Sequence, residues 1–408
     1  MNKSTVDQWK AKIISPEEVI RKIKPGMSIF IGTGVAEPRT LVRTLMNSTA
    51  GNLNDLELIQ LVSFGDAISL GKLRSQQYRL KTFFSGWVSQ DAIMEGRVDL
   101  IPSRFAWIPD LIESGQIPVH AAFVQITPPD KNGNCSLGLA VDAARQAMEK
   151  ATLVIGEINR QVPRTFGDTF VSVSEFTHLV EARDAPIYFD RFPVDAVYDQ
   201  LAVRVAELVE DRSCIAFSIG PLFEALGRHL VHKKHLGVHS PVFTDALMDL
   251  VTAGAVTNRS KGTYRGKSLA SYAIGTPELF TWLDQNPLVE FQAIDKVFNP
   301  SQIGRNAHFT AVVAARKVDL YGRIVLQIGK GTVATGPAEV ADLVSGAEIS
   351  PGGRTIFALP SRNRKGISNI LISFKEFPNQ FTSRESVDVV VTDYGIARLK
   401  GSVSYTHL

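Results

Sequence analysis

The stretch GMSIFIGTGVAEPRTLVRTL, residues 26–45, joins a short apolar run to a glycine-containing turn and then to an amphipathic pattern. A second stretch, DRSCIAFSIGPLFEALGRHL at residues 211–230, repeats this plan almost half a chain later. An apolar run, a turn and a helical pattern form the unit from which parallel α/β sheets are built. The two stretches therefore predict an α/β protein. Their similarity suggests a weak internal duplication, although any strand–turn–helix unit would look alike.

Short apolar runs alternate with helical patterns along the rest of the chain. Predicted strands lie at residues 28–31, 56–62, 121–126, 153–155, 214–217, 354–359 and 387–392. Predicted helices lie at residues 38–46, 141–151, 222–231 and 244–253. Runs that are apolar throughout fit strands buried on both faces, so we expect a largely parallel sheet. Residues 309–317 and 324–328 flank a glycine-bearing turn and predict a β-hairpin.

The composition is that of a globular protein with two or three domains. The chain has 408 residues, of which 44% are hydrophobic and 21% charged, and its formal net charge is only +3. This near balance argues against non-specific nucleic-acid binding as the main role. No apolar run reaches about 18 residues, so no membrane span is predicted. Cys135 and Cys214 are too few for a disulfide framework, and we expect them to be packing residues in a reducing compartment.

The two glycine turns are the first candidate binding sites. Gly32 and Gly34 follow one predicted strand, and Ser218, Ile219 and Gly220 follow another. A glycine after a buried strand lets backbone approach a ligand, and the next helix N-terminus favours anions or a developing oxyanion. The alternative is that both are only tight turns. The G-x-G-x-x-G pattern of dinucleotide-binding oxidoreductases is absent.

Four histidines lie close together in the sequence, at His229, His232, His235 and His239. Such spacing can place two imidazoles on one helix face, as a metal site would need. Two lysines among them instead favour a solvated helix end, where cations suit the helix dipole. We therefore predict no metal site.

The basic loop SRNRKG, residues 361–366, directly follows a predicted strand. Loops at the carboxyl ends of strands are where open α/β sheets bind ligands. Arg364 and Lys365 are suited to phosphate groups as charged hydrogen-bond donors. A solvated surface loop is the alternative interpretation.

Longer stretches match a family pattern. Residues 124–168, VQITPPDKNGNCSLGLAVDAARQAMEKATLVIGEINRQVPRTFGD, look like the blocks SPPD-x-x-G-x-x-SLG and N-x-x-x-PRT-x-GD. Further matches lie at residues 32–42, 236–254, 261–287 and 389–401. Over nearly its whole length the chain resembles the acetyl-CoA hydrolase/CoA-transferase family, which includes 4-hydroxybutyrate, acetate and butyryl-CoA:acetate CoA-transferases.

The resemblance implies a fold and a reaction. The fold is α/β, with two related open α/β domains at residues 1–195 and 196–401 and an active-site cleft between them. In the family, a glutamate attacks the acyl-CoA thioester, and a glutamyl-CoA thioester then hands CoA to a second carboxylic acid; interception by water gives hydrolysis. Short-chain acyl-CoA and a carboxylate are the implied partners, with CoA thioester as the substrate and no bound cofactor. A cytoplasmic homodimer that binds neither nucleic acid nor membrane is also implied.

Several family motifs are altered here. Ser218–Gly220 stands at the family's GIG turn, and Pro241 stands at the nucleophilic glutamate of the motif LGIHTEMFSD. Lys317 replaces an acidic residue, and Ala338 and Glu339 fall where a glycine-rich loop is expected. The catalytic residue is therefore unassigned, and the standard glutamate mechanism is in doubt.

Other carboxylates are candidates to take over the catalytic role. Glu224 lies on the helix after the second glycine turn, and Asp245 matches a family position that is not the nucleophile. Glu339 is the candidate that we retain, because its loop borders the cleft in the family.

The resemblance also implies a set of binding residues. The expected substrate- or CoA-binding residues are Gly32, Gly34, Ser218, Ile219, Gly220, His239, Gly336, Arg364 and Lys365. An alternative function is a non-catalytic acyl-CoA-binding or regulatory module, in the native chain fused to an N-acetyltransferase domain. The final SVSYTHL, residues 402–408, looks like translated adapter sequence and is expected to be a non-native tail on a truncated chain.

Overall fold

A computed structural model describes residues 9–62, 68, 77–84, 90–326, 338–374, 380–381 and 384–401. The strands are β1 Ser28–Ile31, β2 Leu56–Gln60, β3 Tyr78–Thr82, β4 Val98–Leu100, β5 Ala121–Ile126, β6 Asn134–Ser136, β7 Leu153–Ile158, β8 Phe166–Gly167, β9 Phe170–Ser172, β10 His178–Glu181, β11 Cys214–Ala216, β12 Gly237–Val238, β13 Val242–Phe243, β14 Ser268–Ala270, β15 Tyr272–Ala273, β16 Val289–Phe291, β17 Phe309–Asp319, β18 Ile324–Leu326, β19 Arg354–Ala358, β20 Ile370–Leu371, β21 Gln380–Phe381, β22 Val389–Val391 and β23 Ile396–Arg398. The helices are α1 Pro16–Lys22, α2 Arg39–Asn47, α3 Gln90–Met94, α4 Ile108–Glu113, α5 Ala144–Lys150, α6 Ala196–Leu208, α7 Pro221–Leu230, α8 Asp245–Thr252, α9 Pro277–Leu283, α10 Ile294–Val297, α11 Pro300–Gly304 and α12 Ala338–Ile349.

The predicted strands and helices are confirmed within a few residues at each end. Both strand–turn–helix units form, as β1 with α2 and as β11 with α7. The predicted hairpin is also confirmed, because β17 pairs antiparallel with β18; residues 327–328 lie outside the described residues. Among the described residues, no helix is both long enough and apolar enough to cross a membrane.

The chain divides into two compact units. Unit 1 comprises Met1–Ser103, Trp107–Phe189 and Phe280–Asp295, and unit 2 comprises Arg104–Ala106, Asp190–Leu279 and Lys296–Leu408. Each unit carries one large sheet, as expected for a two-domain α/β protein. The expected domain boundary at residues 195 and 196 stays a prediction.

Unit 1 is built on a seven-stranded parallel sheet in the order β10-β7-β5-β1-β2-β3-β4. Every residue of β1, β5 and β7 is buried, which is why these strands read as continuous apolar runs. The chain moves outward from β1 to β4 and then returns to β5 on the other side of β1. The carboxyl ends of β1 and β5 therefore form a topological switch point, the place where open α/β sheets bind ligands.

Unit 2 has the core sheet order β12-β11-β17-β19-β22-β23. Its strands run parallel from β12 to β22, and β23 pairs antiparallel at the edge. After β11 the chain first adds β12 on one side of that strand and later adds β17 on its opposite side. The switch point therefore lies between β11 and β17. On one face of this sheet, Leu343 and Ala347 of α12 pack against β11 and β17.

Candidate functional site

The turn after β1 is closed so tightly that only glycine fits at residue 32. Its N–H donates to the Phe123 carbonyl of β5 at 3.0 Å, and the N–H of Gly34 donates to Val62 at 2.9 Å. A Cβ at Gly32 would lie 2.7 Å from the carbonyl oxygen of Ala36. Gly34 has φ +55°, a left-handed conformation that glycine adopts at little cost. The turn lies at the switch point of unit 1.

Buried polar side chains hold this turn. Gln60 Nε2, at the end of β2, donates to the Gly32 carbonyl and to Glu37 Oε2, both at 3.1 Å. On the other flank, Asp142 Oδ2 accepts from the backbone N–H of Thr33 at 3.3 Å. Burial raises the pKa of Asp142 to about 6. These contacts fix the backbone that follows β1.

Glu157, within β7, holds the first turn of α2. Its two carboxylate oxygens accept from the backbone N–H groups of Thr40 at 3.2 Å and Leu41 at 2.9 Å. The side chain is almost completely buried, and this burial raises its pKa to about 7. A carboxylate is a suitable partner for the N–H groups at the start of a helix.

The turn after β11 is open, in contrast to the turn after β1. Gly220 has φ +123°, and nothing lies within 4 Å of a Cβ placed there. The end of the strand is anchored instead by Ser240, whose Oγ donates to the Phe217 carbonyl at 2.9 Å and accepts from the Phe217 N–H at 3.0 Å. The helix α7 then begins at Pro221. Ser218–Gly220 thus presents backbone at the switch point of unit 2.

The basic loop lies at the same edge of the unit 2 sheet. It follows β19, and β19 and β11 flank β17, so the two strands lie roughly 10 Å apart across the sheet. Asn363 Oδ1 shapes the loop by accepting from the N–H groups of Lys365 at 2.9 Å and Ile367 at 3.1 Å. The side chains of Arg364 and Lys365 are exposed. This placement leaves both cations open to an anion.

Glu339 lies in the first turn of α12, at this edge as well. Because α12 ends shortly before β19 begins, the helix runs antiparallel to the strand and starts at the carboxyl ends of the sheet. Burial, and to a lesser degree the neighbouring Asp342, raise the pKa of Glu339 to about 7. Asp342 itself pairs with Arg104 at 3.5 Å and accepts from the Ala106 N–H at 3.2 Å. Gly336, which precedes this helix, lies outside the described residues.

His239 is packed inside unit 2. Its Nε2 donates to the Val297 carbonyl at 2.7 Å, and its Nδ1 accepts from the Asn306 side-chain amide at 3.2 Å. The ring is completely buried, and burial lowers its pKa to about 3. The imidazole is therefore neutral, and both of its nitrogens are occupied. Its expected role in ligand binding stays a prediction.

The comparisons with known proteins agree with this architecture. The sequence profile of the acetyl-CoA hydrolase/transferase N-terminal domain matches residues 1–206, and that of the C-terminal domain matches residues 275–407. The chain belongs to the acetyl-CoA hydrolase/transferase family. It is 33% identical over 395 residues to the 4-hydroxybutyrate coenzyme A transferase of Clostridium kluyveri, covering 96% of this chain and 92% of that protein.

A second relative and two solved structures extend the similarity to this family. The succinyl-CoA:cyclohexane-1-carboxylate CoA transferase of Geobacter metallireducens is 30% identical over 400 residues, covering 97% of this chain and 90% of that one. RipA from Yersinia pestis matches with a TM-score of 0.91 at 26% identity, over 100% and 94% of the two chains. A 4-hydroxybutyrate CoA-transferase from Porphyromonas gingivalis matches with a TM-score of 0.80 at 28% identity, over 98% and 92%.

The acetyl-CoA hydrolase/transferase fold places Pro241 in the buried segment just after His239. The Pro241 carbonyl accepts from the Ser271 N–H at 3.1 Å, and its side chain offers no nucleophile. The neighbouring Asp245 is engaged as well, because it accepts from the N–H of Thr276 at 3.2 Å and from its hydroxyl at 2.5 Å. Asp245, at the start of α8, therefore holds the turn at Thr276 that precedes α9.

Glu224, the other carboxylate weighed from the sequence, is held in an ion pair. It accepts from Arg191 Nε at 3.0 Å and from Nη2 at 2.9 Å, and the same arginine reaches Asp249 at 2.6 Å. Burial raises the pKa of Glu224, and the arginine opposes that shift. Glu224 is thus a structural ion-pair partner.

Two of the clustered histidines have side-chain partners, and both cysteines are buried. His229 Nε2 lies 2.9 Å from Asp199 Oδ1, and His235 Nδ1 lies 3.3 Å from Thr257 Oγ1. In the part of the chain that the structure describes, no group of three or more His, Cys, Asp or Glu side chains is arranged to hold a metal ion. Both cysteines are buried free thiols, and burial raises the pKa of each to about 12.

The buried polar side chains of unit 1 are not predicted as functional residues from the sequence. Gln60, Gln125 and Glu157 each lie in or at the end of an apolar run, in LELIQ, AAFVQI and LVIGEI. A polar residue near the carboxyl end of an otherwise apolar strand is the signal that could have identified them.

Proposed function

We propose that this chain binds a short-chain acyl-CoA thioester and acts on it, by CoA transfer to a carboxylic acid or by hydrolysis. The observation that carries this proposal is the open Ser218–Gly220 turn at a switch point, with Arg364 and Lys365 at the same edge of the sheet. Backbone N–H groups and exposed cations are suited to the phosphates and the thioester carbonyl of such a substrate. Relatives named as CoA transferases support the substrate class.

Further residues expected from the family stay part of the proposal. Gly32, Gly34 and Gly336 stay predicted ligand contacts, whereas the His239 ring, buried with both nitrogens hydrogen-bonded, would support unit 2 from within and not touch the ligand. A cytoplasmic homodimer remains part of the proposal.

Pro241 favours hydrolysis over transfer through a covalent enzyme–CoA intermediate, because residue 241 cannot form a thioester. Glu339 is the candidate base. Its carboxylate would accept a proton from water while the water oxygen bonds to the acyl carbon and the carbon–sulfur bond breaks. The CoA thiolate then takes up a proton and leaves. A pKa near 7 suits a base that works near neutral pH.

A second candidate function is a non-catalytic acyl-CoA-binding module. Three observations favour it: Pro241 lacks a nucleophile, Asp245 holds a turn, and Glu224 is held by Arg191. In that case ligand binding alone would be the output, as in a sensor or regulatory subunit.

Thioester cleavage separates the two candidates. CoA release from acetyl-CoA and butyryl-CoA is measured with and without acetate, for the wild type, Glu339→Gln and Glu348→Gln. Hydrolysis predicts turnover that falls roughly 100-fold or more in Glu339→Gln and is unchanged in Glu348→Gln, an exposed residue of the same helix. Turnover that survives in Glu339→Gln would contradict the role of Glu339. Binding without turnover in all three proteins would favour the non-catalytic module.

The variant Pro241→Glu tests whether the rest of the site is competent. If it is, a carboxylate restored at this position should give CoA transfer to acetate, detected as acetyl-CoA formed from butyryl-CoA. A folded variant that binds butyryl-CoA but transfers no CoA would show that the other altered motifs also disable transfer.

A further inference from the structure

A polar groove lies on unit 1 between α1, α2 and the segment at residues 183–184. Its volume is about 440 Å³, within the size range of small-molecule sites. Three arginines line it, Arg21 from α1, Arg43 from α2 and Arg183 from the loop. These residues take no part in the two glycine turns described above.

Two of the arginines are matched by carboxylates, and the third is not. Arg43 pairs with Asp184, and Arg183 contacts both oxygens of Glu17 at 3.1 and 3.4 Å. Arg21 Nε donates only to the backbone carbonyl of Glu17 at 3.4 Å. Of the charged side chains that the structure describes here, three cations and two anions line the groove, so the lining carries one excess positive charge.

Arg21 has its remaining donors available. Among the described residues, no side-chain acceptor lies within hydrogen-bond distance of its two terminal nitrogens. Glu18, one helical turn away, contributes a weak electrostatic attraction. A guanidinium with free terminal N–H groups can bind an oxyanion through two parallel hydrogen bonds.

Uncharged hydrogen-bond donors also line the groove. Asn47 and Ser48, at the end of α2, line it, and the Ser48 hydroxyl oxygen accepts from the Ala50 N–H at 3.2 Å, which leaves its own proton free to donate. Thr40 and Thr44 direct their hydroxyl protons to Asp184 and to the Thr40 carbonyl. Within the part of the chain that the structure describes, Ile20 and Ala50 are the only apolar side chains that line the groove, so an apolar ligand would gain little.

We propose that this groove binds a phosphate group, with Arg21 as its principal contact and Asn47 and Ser48 as neutral donors. A phosphate offers several acceptor oxygens and a double negative charge, which match an unpaired guanidinium beside two further arginines. The proposal is independent of the acyl-CoA function, because all of its residues lie on α1, α2 and the segments next to them in unit 1.

The test uses the full chain at low salt, since binding of this kind is screened by ions. Inorganic phosphate and adenosine monophosphate are titrated separately, with calorimetry and phosphorus NMR as readouts. Saturable binding of either probe is expected. If both inorganic phosphate and adenosine monophosphate bind, the groove is a site for free phosphate. If only the nucleotide binds, the groove is a site for a phosphate monoester.

The variant Arg21→Ala should weaken binding roughly 10-fold, the effect of losing a charged hydrogen bond worth about 1.4 kcal/mol. Arg160→Ala is the matched control, because Arg160 is an exposed arginine of the same unit that pairs with Glu181 at 3.6 Å and is not among the residues lining the groove. Its affinity should equal that of the wild type. Equal affinity in Arg21→Ala and the wild type, or no saturable binding of either probe, would overturn the proposal.

Discussion

The carboxylate of Glu157 accepts a hydrogen bond of 2.9 Å from the backbone N–H of Leu41 and so joins β7 to the first turn of α2. Thr40 N–H donates to the same group at 3.2 Å. The helix that this carboxylate anchors begins a few residues after the Gly32–Gly34 turn. The protonation state of one buried side chain is thus tied to the segment that follows a predicted binding turn.

This relationship predicts a pH-dependent stability. Because the pKa of Glu157 is raised from 4.5 to about 7 on folding, the folded chain binds the proton more tightly than the unfolded chain. Glu157 should therefore favour folding below pH 4.5 relative to pH 7, and this advantage should be lost as the pH rises through that interval. Urea unfolding of the wild type and Glu157→Gln between pH 4.5 and 8 measures the difference.

The wild type should lose stability relative to Glu157→Gln as the pH rises, because only the carboxylate must be ionised inside the protein. The comparison cancels other titrating groups, which the two proteins share. A difference that is constant with pH would show that Glu157 keeps an ordinary pKa, and a difference that moves in the opposite direction would show a lowered pKa; either result contradicts this prediction.

Gly32→Ala should destabilise unit 1. The new Cβ would lie 2.7 Å from the Ala36 carbonyl oxygen, so the turn must shift, at a cost of about 1–3 kcal/mol. Gly51→Ala is the control, because nothing lies within 4 Å of a Cβ at that position. Thermal unfolding of both variants measures the effect, and equal stabilities would contradict the close approach at Gly32.

His239 should behave as a neutral structural side chain. Its pKa is lowered to about 3 by burial, so the imidazole resonances should not titrate between pH 5 and 8 in NMR spectra. Since the folded pKa lies below the ordinary value of 6.5, the contribution of His239 to stability should fall as the pH drops below 6.5.

His239→Ala removes hydrogen bonds to Val297 and Asn306 and should cost about 2–4 kcal/mol of unfolding free energy. His232→Ala, at an exposed position, should leave stability within about 0.5 kcal/mol. An imidazole at position 239 that titrates near pH 6.5 would contradict the packing described for unit 2.

The sequence predicts the sheets better than it predicts the site. The apolar runs at β1, β5 and β19 predict those strands closely, because strands buried on both faces must be apolar throughout. The glycine turns follow from the same runs. The alternation of strand and helix patterns along the chain also predicts an α/β sheet.

Tertiary contacts explain what the sequence could not predict. The packing of Phe280–Asp295 within unit 1 depends on contacts between segments far apart in the chain. Likewise, Asp142 reaches the Gly32–Gly34 turn across more than a hundred residues, and no local pattern marks it. The roles of Glu224 and Asp245 also depend on such contacts, since Arg191 and Thr276 engage them from other elements.

Calorimetric titration of butyryl-CoA into the full chain tests the central proposal most directly. The proposed site predicts saturable binding with a Kd below about 1 mM, a free energy stronger than about −4 kcal/mol. The double variant Arg364→Ala/Lys365→Ala should weaken it, because two exposed cations at the edge of the unit 2 sheet are lost. No binding of butyryl-CoA at millimolar concentration, with the protein folded, would contradict the account.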